Sequence, residues 1–176
     1  MKFSNLIATS TILGAAIAAP HGHEHKNKRD VTSETLSGSA VKGITYSPYN
    51  ADGTCKSADQ VASDLANMQS YPAIRLYGVD CSQVENVMKA KQPNQKLFLG
   101  IYFMDQIEQG VQTIQNAVNQ YGSWNDVITV SIGNELVNSN QANPSQVGSY
   151  VAAGRSALQA AGYTGPVVSV DTFISV

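Results

Sequence analysis

Val127-Ile-Thr-Val-Ser-Ile-Gly-Asn-Glu135 is an apolar, β-branched run that breaks off at Gly133-Asn134-Glu135. Such a run reads as a buried parallel strand, and its abrupt end sets an amide and a carboxylate at the strand's C-terminal edge. In proteins that alternate strands and helices, that edge collects reactive side chains, because the loops above it vary while the strands below hold position. An amide beside a carboxylate suits sugar chemistry. The acid can protonate a glycosidic oxygen while the amide bonds a neighbouring hydroxyl. The same residues also fit the plain opening of a loop, so the decision falls to the rest of the chain.

Working outward, four more short runs rich in β-branched or aromatic residues read as strands: 42–47, 73–77, 96–102 and 166–171. Each gap between strands holds a helix pattern with a capping-box-like start: Ser57…Gln60, Ser82…Glu85, Asp105…Glu108 and Asn143…Gln146, the last with Pro144 in the first turn. Apolar positions then recur at helical spacing. Val61, Leu65 and Met68 form one face, Ile107, Val111, Ile114 and Val118 a second, and Val147, Val151 and Leu158 a third. Gly122 and Gly162 stand where helix stops are expected. Strand–helix repeats closed by a further strand predict an α/β fold with a parallel sheet.

Two architectures fit that string. One is a complete doubly wound sheet of the flavodoxin type, which would bind a cofactor through a phosphate-cradling loop after its first strand. The other is a (β/α) TIM-barrel fold truncated after about the fifth strand. The loop Ser47-Pro-Tyr-Asn-Ala-Asp-Gly-Thr-Cys55 is poor for a phosphate and good for a sugar. With no closing helix after Ile174-Ser175-Val176, the barrel reading is the better expectation. It carries a corollary: two open strand edges and a tendency of the isolated chain to aggregate.

Residues 1–19 read as a secretory signal, with Lys2, an apolar stretch from Leu6 to Ala18 and a small-residue cleavage site at Ala16-Ile17-Ala18. That stretch falls short of the roughly 20 apolar residues of a spanning helix, so no membrane anchor is expected. Residues 20–29 read as a propeptide ending in the dibasic Lys28-Arg29, and 30–40 as a polar linker. His21, His23 and His25, the chain's 3 histidines, all precede that cut. Ser-His-Asp triads, Cys-His pairs and histidine-held zinc are thereby excluded from the mature chain, and 2 cysteines cannot make a four-cysteine zinc site. Neither metal nor cofactor is expected. Four of the basic residues but only Glu24 of the acidic ones precede the cut, so the mature chain is more acidic than the net −2 of the whole. That balance argues against nucleic acid as a partner. Cys55 and Cys81 form an even pair in an exported protein, in neighbouring loops on one rim, and a disulfide is the default expectation.

Six segments carry a family likeness: Lys42-Gly-Ile-Thr-Tyr-Ser-Pro-Tyr49, Ile74-Arg-Leu-Tyr-Gly-Val-Asp-Cys81, Leu99-Gly-Ile-Tyr102, Tyr121-Gly-Ser-Trp124, Val130-Ser-Ile-Gly-Asn-Glu-Leu136 and Val168-Ser-Val-Asp-Thr-Phe173. Together they resemble glycoside hydrolase family 17, and in particular the fungal cell-wall glucanases and glucanosyltransferases of the yeast soluble-cell-wall-protein type. The resemblance covers 41–176, which reads as a partial catalytic domain. It implies an eight-stranded barrel, β-1,3-glucan as partner, retention of configuration, and a secreted, cell-wall location. It maps the proton donor onto Glu135 and a sugar-hydroxyl contact onto Asn134. The family's nucleophile, a second glutamate after the seventh strand, has no matching position in these residues. Asp171, at the fifth strand's end, is the other rim carboxylate on a suitable strand end; it is expected to orient a neighbour or simply end the strand.

Arg75 lies within the second strand with Tyr77 and, if buried, demands a carboxylate partner; the resemblance implies that this arginine helps hold the nucleophile, which would leave it unpaired here. The alternative is a surface arginine on an edge strand. Tyr46, Tyr49, Tyr77, Tyr102 and Phe103 sit at or beyond three strand ends. There they suit stacking against a glucan chain, although each alone also fits core filling. Trp124, ahead of the fourth strand at the opposite rim, reads as packing. Two competing functions stay open: a non-catalytic glucan-binding wall protein, and the flavodoxin-like cofactor domain. Oligomeric state is not legible.

Overall fold

The computed structural model describes residues 42–173. The expected signal, propeptide and linker lie outside the described residues. Five strands, β1 (Gly43–Thr45), β2 (Ala73–Arg75), β3 (Lys96–Ile101), β4 (Val127–Asn134) and β5 (Val167–Val170), alternate with four helices. These are α1 (Ala58–Ala66), α2 (Gln83–Ala90), α3 (Ile107–Tyr121) and α4 (Pro144–Ala160). The sheet is wholly parallel and its spatial order is its sequence order, β1-β2-β3-β4-β5. A doubly wound sheet reverses direction at a switch point. This one only advances, so each strand joins the same growing edge, as the staves of a barrel do. Consecutive helices pack on one another, α1 on α2, α2 on α3 and α3 on α4.

Alternation along the strands sorts the two faces. Ile74, Leu76, Leu97, Leu99, Ile101, Val130 and Ile132 are buried in one core with Val61, Leu65, Val87, Ile114, Val118 and Leu158 of the helices. Register aligns Ile74 with Leu97, and Leu99 with Val130, so the buried rows run across the sheet. The opposite parity carries Thr45, Arg75 and Phe98, aligned side by side. That face is mixed rather than aliphatic, and at its C-terminal edge it becomes the functional rim. Close helix–sheet approach depends on Gly154 of α4, where a Cβ would come within 2.5 Å of the Ile132 side chain. Of the third expected apolar face, Leu158 is fully buried while Val147 and Val151 are half-buried.

Helix starts divide into two kinds. Ser57 and Asn143 make full capping boxes with Gln60 and Gln146, and Pro144 sits in the first turn. The other two expected caps are corrected. Ser82 is left-handed (φ 50°) and makes no side-chain cap bond. Asp105 lies inside a 3-10 turn, Met104–Gln106, that precedes α3. Long-range restraint overrides local preference at Ser82, because its neighbour Cys81 (φ 53°) is bonded to Cys55 across the loops after β1 and β2. The helix stops fall as expected: Gly122 caps α3, and Gly162 (φ 95°) follows α4. At the opposite rim Trp124 packs on Tyr163 with ring centroids 5.2 Å apart and donates its indole N–H to Ala161 O.

The Cys55–Cys81 bridge has its Cα atoms 5.3 Å apart and a sequence separation of 26. Closing a loop of that length removes denatured-state entropy equivalent to about 3–4 kcal/mol. Alkylation of the natively purified protein without reductant is expected to leave both cysteines unmodified, and reduction to lower the unfolding free energy by about that amount. Two alkylated cysteines in natively purified material would contradict it. Among the described residues no helix is long and apolar enough to cross a membrane.

Candidate functional site

β4 ends in a reversal of backbone handedness. Gly133 has φ 79°, a conformation glycine adopts freely, and Glu135 has φ 52°, which a side-chain-bearing residue adopts only at a cost. The segment is nevertheless firmly held. Glu135 N–H donates to Val170 O at 2.7 Å, Ser139 N–H and Oγ both donate to Glu135 O, and Leu136 is buried behind the turn. This arrangement ends the strand sharply and leaves the Glu135 side chain exposed on the C-terminal rim.

Asn134, the last residue of β4, is half-buried, and its Oδ1 accepts a 2.8 Å hydrogen bond from Arg75 Nη2. Among the described residues the carboxylate that a buried arginine demands is absent, as the resemblance implies, and the hydrogen-bond partner of Arg75 is instead an amide. The edge-strand alternative also falls, since β2 is flanked by β1 and β3. The guanidinium lies over the Tyr77 ring at 4.4 Å and the Phe98 ring at 5.0 Å, so stacking offsets part of its desolvation. Arg75 Nε is buried with no hydrogen-bond partner among the described residues. A guanidinium only donates, so it must face the amide oxygen of Asn134, and the amide's NH₂ is left to donate elsewhere.

Four of the five expected aromatic contacts, Tyr49, Tyr77, Tyr102 and Phe103, are exposed and border one cavity of about 330 Å³ above the ends of β1, β2 and β3. Tyr102 and Phe103 meet edge to face, 5.2 Å between centroids. Tyr46 borders the same cavity but is 2% exposed, packs in the core and donates its hydroxyl to Asp64 on α1. Glu135 and Asn134 are not among the residues lining this cavity. The Arg75 guanidinium joins the two halves of the rim by touching Asn134 and Tyr77 together.

Three polar residues that sequence reading did not single out complete the rim. Asp80 accepts from the Tyr49 hydroxyl and from Gln83 Nε2, tying the loops after β1 and β2 across the cavity. Burial first, then the Asp80 carboxylate, push the Tyr49 hydroxyl up to about 12. Asn138 donates to Glu135 Oε2. Asp80 lies within a quoted motif, but its partners stand in other elements, and spacing alone does not reveal them.

Asp171 has little freedom. Its Oδ2 accepts from Val137 N–H at 2.8 Å, and its Oδ1 from Thr172 N–H and Asn138 N–H. Desolvation works to raise this carboxyl, and the three backbone donors outweigh it, holding the group below the usual carboxylate range. Among the described residues no cluster of His, Cys, Asp and Glu has the makings of a metal site.

Residues 43–176 match the family model described as the BtgE/BtgC glycoside hydrolase domain. The chain is 71% identical over 138 residues to the probable family 17 glucosidase SCW4 of Saccharomyces cerevisiae, covering 78% of this chain and 36% of that relative. It is 60% identical over 136 residues to the cell surface mannoprotein MP65 of Candida albicans, with 77% of this chain and 36% of the relative covered. The chain thus spans about 36% of the length of these curated relatives. Among solved structures, an active-site mutant of Rhizomucor miehei β-1,3-glucanosyltransferase in complex with laminaritriose superposes with a TM-score of 0.63 at 18% identity, over 82% of this chain and 52% of that one. The likeness carries the barrel fold: the five described strands and four helices form part of a (β/α) barrel.

Proposed function

The chain belongs to the BtgE/BtgC glycoside hydrolase family, among the family 17 enzymes, and from that premise we propose that the full-length protein is a secreted cell-wall enzyme that hydrolyses or transfers β-1,3-glucan with retention of configuration. One observation carries this reading: Glu135 leaves β4 exposed on the rim beside an amide whose orientation Arg75 dictates. Asn134, with its oxygen committed, offers N–H to a sugar hydroxyl. Glu135 protonates the glycosidic oxygen as the bond to C1 breaks, then takes a proton from the incoming water or sugar hydroxyl. The aromatic cavity next to Arg75 suits the flat faces of glucose units, with Tyr49, Tyr77 and Tyr102 as the stacking contacts.

Retention requires a second carboxylate about 5–5.5 Å from the first. Asp171 is a poor candidate because backbone donors occupy both its oxygens. The family resemblance assigns that role to a glutamate after the seventh strand, beyond the described elements. The buried N–H of Arg75 Nε suits such an acceptor.

The test is incubation of the full-length secreted protein with laminarioligosaccharides of defined length. Products longer than the substrate indicate transfer, and shorter products alone indicate hydrolysis. Binding without either product would replace the proposal with a non-catalytic glucan-binding role.

A further inference from the structure

Glu135 is held at its carboxyl as well as at its backbone. Asn138, three residues on and exposed, donates from Nδ2 to Glu135 Oε2 at 3.3 Å. Its Oδ1 in turn accepts from Thr172 Oγ1 at 3.3 Å, and its own N–H donates to Asp171 Oδ1 at 3.3 Å. Asp171 also takes the N–H of Val137 and of Thr172. The residues just after β5 therefore hold Asn138 by its backbone and by the far side of its amide. Both ends of the amide agree on one orientation. A carboxylate only accepts, so NH₂ must face Glu135, and the opposite oxygen is then free to receive the Thr172 hydroxyl.

We infer that Asn138 is the positioning residue for the proton donor, confining the acid proton of Glu135 to Oε1. The inference rests on Glu135 being the acid of the proposed reaction. The carbonyl oxygen of a protonated carboxyl is the better acceptor, so the Asn138 N–H favours the form of protonated Glu135 in which Oε2 is the carbonyl oxygen and Oε1 carries the hydrogen. In the forward step that proton passes from Oε1 to the glycosidic oxygen. The oxygen keeps the bonding pair from C1, and C1 is taken by the second carboxylate of the retaining reaction. The carboxylate left on Glu135 still accepts from Asn138, and the bond becomes charge-assisted. In the return step a water or sugar hydroxyl attacks C1, the bond from C1 to the second carboxylate breaks with its pair returning to that carboxylate, and the attacking hydroxyl gives its proton back to Oε1. Without Asn138 the proton divides between two oxygens and the carboxyl rotates, so fewer encounters are productive.

The test compares Asn138→Ala and Asn138→Asp with Glu135→Gln in the full-length secreted protein, on laminarin and on a series of aryl β-glucosides of increasing leaving-group acidity. Asn138→Asp matters because it is isosteric: it keeps an acceptor for Thr172 and replaces the donor to Glu135 with an acceptor. Both Asn138 variants are expected to lower kcat on laminarin by about 10- to 100-fold with KM within about twofold, the loss shrinking as the leaving group improves. Ser139→Ala removes a bond to the Glu135 backbone alone, and any loss it causes is expected to be equal across the series. An equal loss across the series for the Asn138 variants, or rates within twofold of wild type while Glu135→Gln is inactive on laminarin, would overturn the positioning role. Full laminarin turnover by Glu135→Gln would instead overturn the assignment of the acid itself.

Discussion

Glu135→Gln is expected to lower laminarin turnover by the full-length protein by about 10²- to 10⁴-fold, the range a positioned general acid contributes. The amide keeps the size and polarity of the carboxyl but has no transferable proton. Laminarin binding should therefore change little, since the aromatic cavity and Arg75 are untouched. The deficit should depend on the leaving group. A sugar alkoxide is a poor leaving group and needs protonation as its bond breaks, whereas an acidic phenol departs with little help. The expected pattern is near-complete loss on laminarin with partial sparing on activated aryl glucosides. Steady-state kinetics on both substrates, with binding to laminarin measured separately, checks it. Equal loss on both kinds of substrate would mean that Glu135 supports the fold of the rim instead of acting on the glycosidic oxygen.

What the sequence made legible follows from how local each signal is. The break at Gly133-Asn134-Glu135 marks the real end of β4 because a change of backbone handedness is written into adjacent residues. Ser57 and Asn143 cap as expected because a capping box closes within four residues. Ser82 and Asp105 fit the same pattern on paper, yet a bridge to Cys55 and a preceding 3-10 turn set their backbones. Tyr46 has the position of a rim aromatic, but an acceptor for its hydroxyl, the half-buried Asp64, lies 18 residues away on α1, and the ring packs in the core. Asn138 and Asp171 are 33 residues apart, and nothing in their spacing announces that they meet. Strand ends fix the place of a site on this fold. Its hydrogen-bonding comes from contacts between loops, which periodicity does not encode.

Arg75 makes another long-range contact, reaching Asn134 from 59 residues away, and its replacement is expected to cost both stability and rate. In Arg75→Ala the Asn134 oxygen loses its 2.8 Å donor, and the Tyr77 and Phe98 rings lose the cation between them. A hydrogen bond from a charged donor contributes about 1.5–3 kcal/mol and each cation–π contact roughly 0.5–2 kcal/mol. Against this, removing the charge also relieves its burial, including that of the unpartnered Nε. The net loss expected is about 2–3 kcal/mol in urea unfolding. The effect on rate should exceed what stability accounts for. Once Arg75 no longer selects the orientation of Asn134, its amide can turn either way, and half its orientations offer the sugar hydroxyl an acceptor in place of the N–H donor. An aromatic wall free to shift adds misplacement of the substrate, so kcat/KM on laminarin should fall by about 10²- to 10³-fold. Arg75→Lys separates the two roles. Lysine keeps the charge over the rings but offers a single ammonium in place of a planar fork, so it cannot stack flat and reach Asn134 at once. It should recover part of the stability and little of the rate. Wild-type kcat/KM in Arg75→Lys would show that charge alone suffices at this position, and the assigned orientation of Asn134 would then have no catalytic consequence.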